Sequence, residues 1–197
     1  IQEKTYEPTR QTSIDIFQKI ANHENSICLV ILKNNDLVAI TFSGQVSLFG
    51  SEKGISSHED FNNPNAIYTA DTTGTKEVKG KELGRDLKYA TVIMGLQKGF
   101  NIYIGRNRDQ LASRMNLINL SLGAYEKSFV ENDYDDDEKF KSVIHYKIDY
   151  SQIEGQKEYH TYLSDIYKAK EINKDSISML VNKICLSNFV GEKYLNN

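Results

Sequence analysis

Residues 89–106 read Y-A-T-V-I-M-G-L-Q-K-G-F-N-I-Y-I-G-R, two apolar, β-favouring runs hinged at Gln97-Lys98-Gly99, and no other segment constrains the fold as much. β-Branched and aromatic residues suit a pleated surface, and glycine accepts the positive φ of a tight turn, so the segment predicts a hairpin. A second reading fits the same residues. Leu83, Leu87, Ala90 and Met94 fall at helical spacing, and Gly99 suits a helix C-cap ahead of a strand over 100–105. Sequence alone leaves both open.

The rest of the chain supplies elements for one α+β domain. Residues 11–22 place Ile14, Phe17, Ile20 and Ala21 on one helical face, with Thr12 or Ser13 as cap. Residues 27–32 and 37–42 are β-rich runs joined by Lys33-Asn34-Asn35-Asp36, which predicts a first hairpin. Residues 50–81 are rich in Ser, Gly, Asn, Asp and Thr around one apolar run at 66–70, a long loop region holding one strand. A helix is expected over 109–122. Residues 131–138, E-N-D-Y-D-D-D-E, form a carboxylate run that predicts a solvated acidic loop, since unpaired carboxylates lose hydration on burial. Residues 143–150 alternate like a half-buried strand, and 159–190 carry apolar positions at the spacing of two closing helices. The expected fold is therefore α+β, a curved, mainly antiparallel sheet packed by helices, with a helical C-terminus.

A length of 197 residues suffices for one domain with a sizeable core, and residues 1–197 are read as one such domain. Because the sequence opens at Ile1, it is expected to be a segment of a larger protein. No run approaches the roughly 18 apolar residues of a membrane span, and Cys28 and Cys185 lack metal spacing, which together point to a cytoplasmic, reducing setting. A formal charge of −3 argues against binding nucleic acid over the whole surface, so local patches decide.

Four of the five arginines, Arg85, Arg106, Arg108 and Arg114, lie between 85 and 114. Guanidinium forks suit phosphate oxygens. Arg106, Arg108 and Arg114, with Lys98 and Tyr103, are the candidate nucleic-acid-binding residues. They compete with a reading in which the arginines pair with the acidic run. The histidines form no ligand pair at helical spacing; His145 and His160 could meet only through the fold. No serine or cysteine nucleophile motif and no phosphate loop occurs. No metal site is expected.

Several resemblances bear on function. Asp71, followed by Glu77-Val78-Lys79, resembles the carboxylate and lysine set of the restriction-type nuclease fold, which implies Asp71, Glu77 and Lys79 as catalytic candidates with Mg²⁺. Tyr103-Ile104-Gly105 with Arg114 resembles the second half of the GIY-YIG nuclease motif; its first tripeptide is missing here, and its acidic ligand would have to be Glu126 or Glu131. The order of a hairpin over 89–105, an acidic connection, Y-K-I-D-Y-S-Q-I and L-S-D-I-Y-K-A-K-E resembles the N-terminal DNA-recognition domain of McrB-type restriction proteins across residues 89–172. That family carries a tryptophan-containing start, and this chain has no tryptophan. The resemblance implies a DNA-recognition module of a defence or mobile-element protein, without a cofactor and attached to a motor or nuclease elsewhere. The alternatives are a metal-dependent endonuclease, or an acidic interaction or immunity domain that binds a basic partner.

Overall fold

The computed structural model describes residues 13–78, 83–109, 112–133 and 142–151. Ser13 caps α1 (Ile14–Ala21) by accepting from the Ile16 amide at 3.3 Å. Strands β1 (Ser26–Lys33) and β2 (Asp36–Gln45) then form the expected hairpin. Its turn residues Asn34 and Asn35 have φ of 51° and 69°, the paired left-handed conformation that matches the twist of the flanking strands.

A short 3-10 turn (Val46–Phe49) and a run of turns lead to β3 (Ala66–Gly74), four residues longer than the apolar run alone suggests. A 3-10 turn at Lys76–Val78 precedes α2 (Leu83–Gln97), followed by β4 (Ile102–Arg108), α3 (Ser113–Ser121), β5 (Tyr125–Val130) and β6 (Val143–Asp149). The six strands lie in the order β1-β2-β3-β4-β6-β5, and all neighbours are antiparallel except β3 and β4. The described chain is thus α+β, a mainly antiparallel sheet with three helices. The helices expected over 159–190 lie outside the described residues, as does 134–138 of the acidic run.

The hairpin reading of 89–106 is corrected. Residues 83–97 are helix, and β4 runs parallel to β3, a pairing that requires a crossover rather than a tight turn. Gly99, at φ 89°, ends the helix: its amide reaches the Leu96 carbonyl at 3.1 Å and the Phe100 amide reaches Gly95 at 2.9 Å, the two bonds of a Schellman cap. The apolar run misleads because Tyr89 to Ile93 are all buried, so the helix lacks a polar face and its period is hidden.

The sheet is covered on both faces. Against one face α2 packs Leu83, Leu87, Val92 and Ile93 over Ile27, Leu29, Ile67, Tyr103 and Ile148. The other face gathers Phe42, Phe49, Ile55, Tyr68 and Ile104 with Ile20 of α1. Double coverage explains why Lys147, on the face of β6 opposite Tyr146 and Ile148, is only 7% exposed: Glu59 and Asp60 from the loop before β3 reach it at 3.0 and 2.7 Å.

Two glycines make close packing possible. A Cβ on Gly95 would lie 2.3 Å from the Tyr103 hydroxyl, and one on Gly105 would lie 2.3 Å from that of Tyr146. Gly95→Ala should therefore lose about 2 kcal/mol in urea unfolding despite alanine's better helix propensity; a change below about 0.5 kcal/mol would contradict this packing. Asn35→Gly should be tolerated, whereas Asn35→Val should cost about 1–2 kcal/mol in the same assay because a β-branched residue resists positive φ. Equal stability of the two variants would contradict the turn geometry.

Candidate functional site

The one parallel pair of the sheet is short. β3 and β4 pair only at Ala66↔Ile102, Ile67↔Tyr103 and Tyr68↔Ile104. Beyond these residues β3 continues on β2 alone, through Thr69 to Gly74, and β4 continues on β6 alone, through Gly105 to Arg108. The two strands part at their carboxyl ends, and α2 begins after the far end of β3. Open α/β sheets bind ligands at such carboxyl ends.

On the α2 side of the opening lies Lys88, 1% exposed. Its Nζ donates to Thr69 Oγ1 at 3.2 Å and to the Tyr146 hydroxyl at 2.8 Å, and it sits 5.0 Å from the Tyr146 ring centroid. Thr69 also accepts from Ser43 Oγ at 3.1 Å. Burial lowers the Lys88 ammonium from 10.5 to about 7, because a charge in this setting loses its hydration. Burial also pushes the Tyr146 phenol well up, with the buried Asn119 of α3 alongside pulling the other way. The absence of Cβ at Gly105 gives the Tyr146 ring its place beside β4.

The opposite side of the sheet carries charge. Arg106 reaches Glu52 at 3.3 Å, Asp133 at 3.4 Å and the Lys53 carbonyl at 3.2 Å, and Lys53 Nζ meets Asp133 at 3.0 Å. Asp133 is the first aspartate of the acidic run, so for Arg106 the structure brings arginine and acidic run together. Nearby, burial first of all lowers the His58 and His145 imidazoles. Glu59 is held at about 2 by Lys147 and then by Lys127.

The remaining residues singled out in the sequence are dispersed. Arg108 is buried at the end of β4, and Arg114 is exposed in the first turn of α3. Lys98 is exposed past the far end of α2, donating to the Glu24 carbonyl at 2.7 Å. Tyr103 is wholly buried, its hydroxyl donating to the carbonyls of Val92 at 2.8 Å and Phe100 at 3.1 Å. Asp71 lies on β3 and Glu77 is exposed in the turn after it, while Lys79 and His160 fall outside the described residues. Among the described residues no group of three or more His, Cys, Asp and Glu could hold a metal ion. Sequence reasoning missed Lys88, Thr69 and Tyr146. The available signal was a lone lysine sharing a helical stripe with Gly84, Thr91 and Gly95.

No protein-family model and no curated protein matches the sequence. Solved structures do match the fold. The ribosomal-protein-S18-alanine N-acetyltransferase from Escherichia coli aligns with a TM-score of 0.56 at 14% identity, covering 73% of this chain and 81% of that one. A Bacillus anthracis protein assigned as a streptothricin acetyltransferase, in complex with acetyl coenzyme A, aligns at 0.52 and 12% identity over 74% and 73%. A Bacillus subtilis acetyltransferase in complex with CoA aligns at 0.50 and 10% identity over 70% and 84%. These findings correct the McrB-type resemblance, whose leading feature was a hairpin that is helix and strand here. They overturn the readings as DNA-recognition module, metal-dependent nuclease and acidic interaction domain, together with the nucleic-acid partner and the lean toward a non-enzyme. The expectation of no cofactor, or of Mg²⁺, also gives way, since two of these neighbours are complexes of CoA or acetyl coenzyme A. At this identity the likeness shows the fold alone: this chain shares the fold of those acetyltransferases.

Proposed function

We propose that the protein is an acyl-CoA-dependent N-acyltransferase, working in a reducing, cytoplasmic setting, whose acyl donor enters between the parted ends of β3 and β4. The observation that carries the reading is the parting itself, in a fold shared with acetyltransferases. Beyond Tyr68 and Ile104 the facing edges of the two strands have no ladder partner in each other, so their backbone amides and carbonyls face the opening. The pantetheine arm of CoA is an extended chain with two amides, and it can bond to strand edges as an added strand does.

The diphosphate end has a complementary neighbour. α2 is 15 residues long, and the first-turn amides of a helix this long attract anions. The sequence leading into it, T-K-E-V-K-G-K-E-L-G-R, carries Lys76, Lys79, Lys81 and Arg85. Lys79, first considered for a nuclease set, has a different use in this reading, as a counterion to diphosphate. Acyl-CoA supplies an activated thioester carbonyl. The chain's residues orient it through strand edges and helix N-terminus and keep water away from it with the packed Tyr68 and Tyr146. No helix among the described residues is long and apolar enough to cross a membrane.

Titration calorimetry of the full chain with CoA and acetyl-CoA should give one site with Kd in the range of about 1–100 μM, as expected of an enzyme near physiological substrate levels. No binding at about 1 mM ligand would overturn the reading. Lys79→Ala with Lys81→Ala should weaken CoA binding roughly tenfold, more at low salt than at high, and leave the binding of phosphate-free pantetheine unchanged. Equal weakening of both ligands would remove the diphosphate from that end of α2.

A further inference from the structure

We propose that Lys88 is a self-acylation site, its Nζ taking the acyl group from an acyl-CoA thioester held between β3 and β4 to become an Nε-acyl-lysine. The inference rests on the acyl-CoA reading and adds to it a covalent acceptor within the chain.

Geometry carries the argument. Thr69 is the first β3 residue past the last β3–β4 pair, Gly105 is the first on β4, and Tyr146 is paired with Gly105 across β6. Nζ bonds to Thr69 and Tyr146, one on each side of the parting. A neutral primary amine has two N–H groups, and these two oxygens accept both, leaving the nitrogen lone pair over. The ammonium form would carry a third N–H with no acceptor among the described residues, in a place where unpaired charge is costly.

The surroundings favour the nucleophilic form. Tyr146 of β6 is the titratable group facing Nζ. Thr69 of β3, Ser43 of β2 and Asn119 of α3 are uncharged. On the lysine's own helix, Asp86 is taken up by Arg85 at 3.1 Å. Burial is the one cause that lowers Lys88, to about 7, so the amine is largely neutral in mildly alkaline solution. Lysines of this kind serve as nucleophiles in other settings.

The step balances. As Nζ bonds to the thioester carbonyl carbon, the carbon–sulfur bond breaks and CoA leaves as thiolate. Nζ gives up one proton, which the thiolate takes, so the products are an amide and free CoA thiol. No oxidant or further reactant is needed. The amide is uncharged, so acylation removes the cost of a protonatable amine in the core.

The full chain is incubated with acetyl-CoA, and acetylation is followed peptide by peptide by mass spectrometry, with binding measured in parallel by calorimetry. Lys88 should be modified at least about tenfold faster than the exposed Lys19, Lys76 and Lys98, and about tenfold faster near pH 8 than near pH 6, following its neutral fraction. Excess CoA should suppress the reaction at Lys88 and leave the exposed lysines unaffected. If acetyl-CoA binds but Lys88 stays unmodified, or reacts no faster than exposed lysines, the inference fails and the acyl-CoA reading stands. If acetyl-CoA does not bind, both fail.

Discussion

Everything at the candidate site follows from three residue pairs. β3 and β4 are held together only by Ala66, Ile67 and Tyr68 against Ile102, Tyr103 and Ile104, and each strand then follows a different antiparallel partner. A sheet twists by roughly 20–25° per strand, and two strands committed to opposite neighbours separate when their own pairing stops. The crossover helix α2 must span the split, because parallel strands cannot be joined by a short turn. At the split α2 presents Lys88 instead of a large hydrophobe. Gly95 admits Tyr103, Thr91 bonds back to the Leu87 carbonyl at 2.8 Å, and Lys88 reaches the split.

The two faces of the sheet handle polar groups differently. On the α2 side a single amine is buried with neutral partners, so the low-polarity setting favours its uncharged form. On the other side Arg106, Lys53, Lys147 and Lys127 are matched by Glu52, Asp133, Glu59 and Asp60. Those pairs tie the long loop before β3 and the residues after β5 to the sheet. Partly buried pairs like these bring specificity of arrangement more than net stability. An arginine already bound by two carboxylates is a poor phosphate ligand, and the cluster that looked like a phosphate strip in the sequence is at Arg106 a fastening.

What was legible in the sequence was local. Ser13 as cap, Asn34-Asn35 as a left-handed turn and the strand over 143–149 each act within a few residues, and each is where expected, although the strand is buried on both faces instead of one. Residues 89–97 were ambiguous because a helix with 89–93 all buried reads as an unbroken apolar run that suits a strand as well as the helical spacing of Leu83, Leu87, Ala90 and Met94, and only the pairing of β3 with β4 decides between them. Function was misread for the same reason. Thr69, Lys88 and Tyr146 are 19 and 58 residues apart in sequence and are joined only by the fold. The arginines, close in sequence, are dispersed by it.

The most direct test of the acyl-CoA opening is amide shift mapping on the ¹⁵N-labelled full chain as acetyl-CoA is added. The account predicts the largest changes at residues 69–71 and 105–107, along the facing strand edges, and in the first turn of α2. Changes confined to α1, to the outer edge strands β1 and β5 or to Arg114, or no changes at saturating ligand, would contradict it.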